Sequence, residues 1–183
     1  DQITVFLSQV GSISVGEDTV APVITLVGDS SVNHEAGVGY LDAGANVEDN
    51  SDFTLAITIE GTVDFDTPGS YTLTYTASDA AGNAAVEVTR TVVVSDTILP
   101  VITLVGDASV NHEAGTTYTD AGANATDSLD GTVTVTTSGT VDVNTPGSYT
   151  LTYTASDAAG NAATALTRTV VVSDTILPVI TLV

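Results

Sequence analysis

The chain has 183 residues and sets 23 acidic side chains against two arginines and no lysine, a formal net charge of -21, while 43% of its residues are hydrophobic. So apolar a composition predicts a folded core beneath a negative surface, and with Arg90 and Arg168 as its strong bases it excludes nucleic acid and disfavours anionic membranes as partners. Cysteine is absent too, which removes disulfides, thiolate metal sites and cysteine nucleophiles, and the missing lysine removes Schiff-base chemistry and lysine isopeptide cross-links.

Residues 1–17 alternate through Ile13 and Val15 and read as the last strand of a preceding unit. They lack the basic start and apolar stretch of a signal peptide. No run of 18 apolar residues occurs, so no membrane insertion is expected and any export signal is assigned to a longer parent. From Asp18 onward the chain repeats. Asp18-Thr19-Val20-Ala21-Pro22-Val23-Ile24-Thr25-Leu26-Val27 returns at Asp96 to Val105 and again at Asp174 to Val183, an offset of 78 both times (96 − 18 and 174 − 96). Residues 18–95 and 96–173 are complete copies, identical at 57 of 78 paired positions, and residues 174–183 begin a third with its first strand.

Within a copy the hydrophobic period is two. Tyr149, Leu151, Tyr153 and Ala155 alternate with threonines, the signature of a strand packed on one face and wet on the other. In the second copy seven strands are predicted, at 101–105, 108–113, 117–125, 132–137, 140–144, 148–156 and 164–172. Turn residues such as Gly106-Asp107, Thr145-Pro146-Gly147 and Ala158-Ala159-Gly160-Asn161 separate them. No segment has helical periodicity. The fold class is therefore all-β: tandem seven-stranded immunoglobulin-like β-sandwiches, without the cysteine pair and tryptophan of antibody domains. Tyr71 and Tyr149 follow the Thr-Pro-Gly turn, where a tyrosine corner would lie, and are assigned a structural role.

These strings resemble the bacterial Ig-like domain first named from a pesticidal crystal protein, and are similar to the hyalin repeat. The resemblance is carried by Asp-Thr-x-x-Pro-Val-Ile-Thr-Leu, Tyr-x-Asp-Ala-Gly-Ala, Gly-Thr-Val-Asp and Thr-Pro-Gly-Ser-Tyr-Thr-Leu-Thr-Tyr-Thr-Ala-Ser-Asp-Ala-Ala-Gly-Asn. It implies a stalk or spacer in a bacterial surface adhesin, biofilm protein or secreted hydrolase. Asn33-His34-Glu35-Ala36 and its copy Asn111-His112-Glu113-Ala114 depart from the alternating Val and Thr of the usual pattern.

Carboxylates recur in three segments that an immunoglobulin topology brings to one pole. In the first copy these are Asp18, then Asp49 and Asp52, then Asp79 with Asn83; in the second, Asp96, then Asp127 and Asp130, then Asp157 with Asn161. Asp174 opens the same series in the third. Asp96 follows Ser95 with no Gly/Ser-rich linker, and converging carboxylates without a lysine would repel one another. Calcium resolves this with six to eight oxygen ligands in an adaptable geometry, whereas magnesium demands a stricter octahedron. Glu35 or Asp66 could complete the shell at the middle junction. The competing reading is that Asp and Asn serve turn chemistry alone.

Other chemistry fails on inventory. A glycosidase pair needs a cleft and an apolar carboxyl setting, and His34 and His112, each beside Glu on a strand, supply neither a triad nor a zinc-protease pair. They read as strand histidines, and Arg90 and Arg168 as structural cations covering carboxylates or an aromatic face. No enzyme is expected. The function expected is a structural stalk repeat of an extracellular bacterial adhesin or matrix protein, its junctions rigidified by calcium, with neighbouring Ig-like domains of the same chain as partners. Alternatives are an accessory spacer of a secreted hydrolase, or a self-associating filament subunit whose strand at 178–183 completes a neighbour's sheet.

Overall fold

The computed structural model describes residues 17–181, so all but the last residue of the strand expected at 1–17 lies outside the described residues. The protein is all β and forms two compact units. One comprises the chain up to Asn33 with Tyr40–Asp64 and Ser70–Val93; the other comprises His34–Gly39, Phe65–Gly69 and Val94–Val183.

The first repeat supplies β1 (Val23–Leu26), β2 (Ser31–Glu35), β3 (Ala45–Glu48), β4 (Thr58–Glu60), β5 (Gly69–Thr76) and β6 (Val88–Ser95). β1 and β3 pair antiparallel, and the other four form a sheet in the order β2-β6-β5-β4. Ile24, Leu73, Tyr75 and Ala77 are buried between them, with Leu26, Val47, Val63 and Val88 packed around.

The second repeat supplies β7 (Val101–Leu104), β8 (Ser109–Glu113), β9 (Ala123–Asp127), β10 (Gly131–Val133), β11 (Val135–Ser138), β12 (Gly147–Ala155) and β13 (Leu166–Ser173). One sheet has the order β10-β9-β7 and the other β11-β12-β13-β8. β8 runs parallel to β13, from Ser109 opposite Thr169 to Glu113 opposite Ser173; the other pairs are antiparallel. The core is Ile102, Ala125, Val133, Leu151, Tyr153 and Ala155. Leu151, Tyr153 and Ala155 face inward at alternate positions, as period two requires.

Three of the strands expected in the second copy differ. The one expected at 132–137 breaks at Thr134 into β10 and β11, which belong to different sheets. The one expected at 117–125 is confined to Ala123–Asp127, because Gly122 lies at φ +78° and Asp120 accepts its N–H at 3.1 Å, a local turn that competes with a ladder. Residues 140–144 form no strand. There the Asp142 carboxylate accepts the Asn144 N–H at 3.0 Å and the Thr145 hydroxyl at 2.9 Å, closing a turn. Likewise, the described residues of the third-copy strand, up to 181, carry no ladder. Strands at β1 and β7 pair with the second strand that follows each, and no such partner stands within this sequence.

The two repeats also differ at β10. Its hairpin with β9 has the three-residue loop Ser128 to Asp130 followed by Gly131 at φ +70°, a conformation glycine adopts freely. The first repeat has Phe53 there, 91% exposed, and no strand forms at that point. Gly139 is constrained more tightly: at φ +97°, an added Cβ would lie 2.3 Å from the Thr150 carbonyl oxygen. Gly139→Ala is expected to lower stability by roughly 1–3 kcal/mol or more. Gly160→Ala meets open space and carries only the left-handed cost of about 1–2 kcal/mol; thermal melting of the two variants side by side checks the difference.

Candidate metal centre

The residues that follow β3 and β5 meet the segment ahead of β1. Oxygens of Asp18, Asp49 and Asp79 lie within 4.8 Å of one another. Asp79 is oriented by Asn83, whose backbone N–H and side-chain amide donate to its two oxygens at 2.7 Å each. The same amide nitrogen donates to the Asp18 carbonyl at 3.0 Å, fixing the main chain that carries the first carboxylate. Asp49 accepts the N–H groups of Ser51 (2.9 Å) and Asp52 (3.1 Å) on one oxygen. Ser51 Oγ donates to Asp18 at 2.5 Å and lies 3.2 Å from Asp49.

The second repeat builds the same scaffold around Asp96, Asp130 and Asp157, whose oxygens also lie within 4.8 Å of one another. Asn161 donates to Asp157 through its backbone N–H (2.7 Å) and side-chain amide (2.8 Å), and to the Asp96 carbonyl at 3.1 Å. Asp127 accepts the N–H groups of Leu129 (2.7 Å) and Asp130 (3.1 Å) on Oδ1. Asp130 in turn accepts the Ala158 N–H at 2.7 Å, tying the two loops together.

Asp96 is 7% exposed and Asp127 9%, yet Oδ2 of each has no hydrogen-bond partner among the described residues. Burial, followed by repulsion from Asp127, Asp157 and Glu35, holds the Asp96 carboxyl above its ordinary value, although the Ile98 N–H pulls the other way. Backbone N–H groups of Leu129 and Asp130 hold Asp127 below its own. Buried carboxylate oxygens of this kind are costly unless a proton or a cation meets them. The donor set is all oxygen and all anionic, which suits a hard divalent ion, and the separations leave room for the flexible shell of calcium.

Of the residues singled out from sequence, Asp18, Asp49 and Asp79 come together in one group and Asp96, Asp130 and Asp157 in the other. Asp52 stands outside the first group with its carboxylate on the Ala80 N–H at 2.7 Å. Asp127 stands outside the second, and Asn83 and Asn161 act as latches through their amide nitrogens. Asp174 is exposed, accepts the Ile176 N–H at 3.3 Å and joins no such group among the described residues. Glu35 holds the Thr97 N–H at 2.8 Å and hydroxyl at 2.5 Å, and Glu113 holds Thr175 likewise, at 2.9 and 2.5 Å. Within the second unit, a cavity of about 590 Å³ borders the cluster, lined by Asp66, Thr67, Leu129 and Asp130 among others. Tyr149 donates to the Thr145 carbonyl at 2.8 Å. His112 lies on β8 with its ring edge-on to Tyr118 at 5.2 Å.

Sequence reasoning missed the partner of each arginine. Arg168 is 1% exposed, and its guanidinium donates to the Asp120 carboxylate, the Tyr153 hydroxyl (3.0 Å) and the carbonyls of Asp107 (2.9 Å), Val105 and Gly122 (3.3 Å). Tyr153 donates to both Asp120 oxygens, at 2.8 and 2.9 Å, and lies under the guanidinium at 5.6 Å. Arg90 repeats the knot with Asp42, Tyr75, Asp29, Val27 and Gly44. The available signal was the recurrence of Tyr-x-Asp-Ala-Gly and Thr-Arg-Thr at the same places in both copies.

Burial raises the Asp42 and Asp120 carboxyls, but hydrogen bonds from Tyr75 or Tyr153 and from the arginine outweigh it and leave both below the ordinary 3.8. A depressed carboxylate contributes stability that is complete above its unfolded pKa and is lost as pH falls through the folded one. Melting temperature in EDTA is therefore expected to fall steeply only below about pH 4, and Asp120→Asn to flatten that acid limb; a pH series of melts checks both. Burial and then the Asp120 hydrogen bond push Tyr153 up to about 12.

The family described as bacterial surface protein, Ig-like domain, matches residues 24–94 and 102–172. An uncharacterised 81.3 kDa protein of Acholeplasma phage L2 is 36% identical over 159 residues, covering 79% of this chain and 21% of that protein. The chain thus spans about a fifth of that relative's length. Among solved structures, a lipoprotein of Bacteroides thetaiotaomicron is 34% identical, covering 43% of this chain and 40% of its own, with a TM-score of 0.38. The first two extracellular repeats of human protocadherin-24 are 17% identical, covering 86% and 99%, with a TM-score of 0.36.

Proposed function

Because the chain belongs to the family of bacterial surface protein Ig-like domains, we propose that it serves as a stalk segment of an extracellular adhesin or matrix protein, with calcium held at each repeat's carboxylate cluster. The observation that carries the metal reading is the bare, buried oxygen on Asp96, a member of the group formed with Asp130 and Asp157, with further bare oxygens on Asp127 and, in the first repeat, Asp49. In the second repeat Asp96, Asp130 and Asp157 would hold the ion directly; in the first, Asp18, Asp49 and Asp79 take these places. The bound ion supplies positive charge, which no lysine provides here.

Asp96 is the first residue after Ser95, where β6 ends, so an ion fastened to it ties the outlet of one repeat to the loops of the next. With the ion removed, the same carboxylates repel and the joint samples more angles. A spacing role asks nothing else of the chemistry, and the acids serve as ligands rather than as a catalytic pair. Small-angle scattering in EDTA and then in millimolar calcium tests the reading. The expected result is a longer maximum dimension and a narrower distance distribution with calcium; identical curves would sink it.

A further inference from the structure

The two clusters differ in the loop acid that joins them, Asp49 in the first and Asp130 in the second, and in one further side chain that meets the carboxylate ahead of the first strand. In the first, the Ser51 hydroxyl donates to Asp18 Oδ2 at 2.5 Å and lies 3.2 Å from Asp49, so the lone pair of Asp18 that faces the cluster already holds a proton donor. At the 78-residue offset, the equivalent of Ser51 is Leu129. Leucine neither donates nor ligates. Asp96 Oδ2, the counterpart of the Asp18 oxygen, has no hydrogen-bond partner among the described residues, whereas the bare Asp127 Oδ2 has its match in Asp49 Oδ1 of the first repeat and so does not tell the two apart. Asp96 is more than nine-tenths buried, at 7% exposure, so water offers poor compensation.

We infer that this position, Ser51 in one repeat and Leu129 in the other, sets the strength of each repeat's cation site, making the second the tighter for calcium. The inference rests on the calcium reading above. An ion arriving at Asp18 must displace a hydroxyl bonded to a charged acceptor, whereas one arriving at Asp96 meets an uncompensated oxygen. A charge-assisted hydrogen bond of this kind corresponds to about a tenfold change in affinity or somewhat more. The backbone frame does not explain a difference, since the Asn latch and the loop N–H groups recur in both repeats within a few tenths of an ångström: 2.7 and 2.7 Å for the Asn83 and Asn161 N–H bonds, 3.0 and 3.1 Å for their amides on the preceding carbonyl. The two sites would fill in order as calcium rises, the second repeat first.

The test is a calorimetric titration of calcium chloride into the chelator-stripped full chain, its Leu129→Ser and Ser51→Leu variants, and Asp79→Asn and Asp157→Asn to assign each site. Two classes of site about tenfold apart are expected, with Asp157→Asn removing the tighter and Asp79→Asn the weaker. Leu129→Ser should weaken the tighter site about tenfold, and Ser51→Leu should strengthen the weaker by a similar factor. Because Ser51 is exposed, the second variant keeps the test open even where the first perturbs folding. Two equal sites, or tighter binding in Leu129→Ser because the hydroxyl ligates the ion, would overturn the inference while leaving the calcium reading in place. No heat of binding up to about 10 mM, beyond the range of extracellular calcium modules, would overturn both.

Discussion

Arg168→Met is expected to cost the second repeat about 3–5 kcal/mol, the range measured when one partner of a buried ion pair is removed. The reason lies in what is left behind. The guanidinium is 1% exposed and meets five acceptors, and in its absence Asp120 keeps a charge that, among the described residues, it shares with Tyr153, Tyr118 and the Gly122 N–H. Three main-chain carbonyls, of Val105, Asp107 and Gly122, lose their side-chain donor at the same time. For a repeat of 78 residues the loss corresponds to a fall in Tm of about 15 °C or more. Tyr153→Phe keeps the ring and the ion pair and removes one hydroxyl, so about 1–2 kcal/mol is expected. Arg168→Lys should recover little, because a single ammonium cannot fork to a carboxylate and three carbonyls. Scanning calorimetry in EDTA separates these outcomes from any effect of metal. Equal Tm for Arg168→Met and the parent would refute the view of Arg168 as the knot that joins β13 to the chain around Asp107 and Asp120.

Calcium is expected to have the second largest effect. At free calcium one hundredfold above Kd, a ligand bound only by the folded state adds about 2.7 kcal/mol, which for a domain of this size raises Tm by roughly 10–20 °C. Asp157→Asn should abolish most of that rise in the second repeat, since it removes a charge from the group formed with Asp96 and Asp130. Asp42→Asn is the control: it lowers Tm through the arginine knot yet leaves the calcium increment unchanged. Magnesium at the same concentration should give a smaller rise, because its strict octahedron does not suit a set of carboxylates fixed by Asn latches and turn N–H groups. Melts in EDTA, magnesium and calcium settle the point, and an unchanged Tm in calcium would count against the metal centre.

The fold was largely legible because the chain states it twice. Alternation through Tyr149, Leu151, Tyr153 and Ala155 places β12 and its inward face correctly. Two of the errors fall where local hydrogen bonding competes with a ladder: the Asp142 turn in place of a strand, and the Asp120–Gly122 turn that shortens β9. Valine and threonine at 140–144 look like a strand to any periodicity argument, because period two cannot register a carboxylate that folds back on its own backbone. For the carboxylate clusters, topology was enough to place three acid-bearing segments at one pole. It could not say which acid of each loop faces the others, and the answer differs between repeats: Asp49 in the first, Asp130 in the second. That choice depends on side-chain direction in a turn. The arginine knots were invisible for another reason, since Asp42 and Asp120 look like any other acid in a chain with 23 of them, and burial of an arginine is not written in its neighbours' hydropathy.

The parallel pairing of β13 with β8 bears on how the second unit would carry tension. A pull applied at Ser173, where β13 ends, would act along the ladder that runs from Thr169 opposite Ser109 to Ser173 opposite Glu113. Parallel bonds are evenly spaced and slanted, so a tug on Ser173 in the direction of the strand slides the ladder as a whole and strains its bonds together. An antiparallel hairpin pulled from its open end would instead unzip rung by rung. A pull along β13 would thus load the whole β8–β13 ladder in shear.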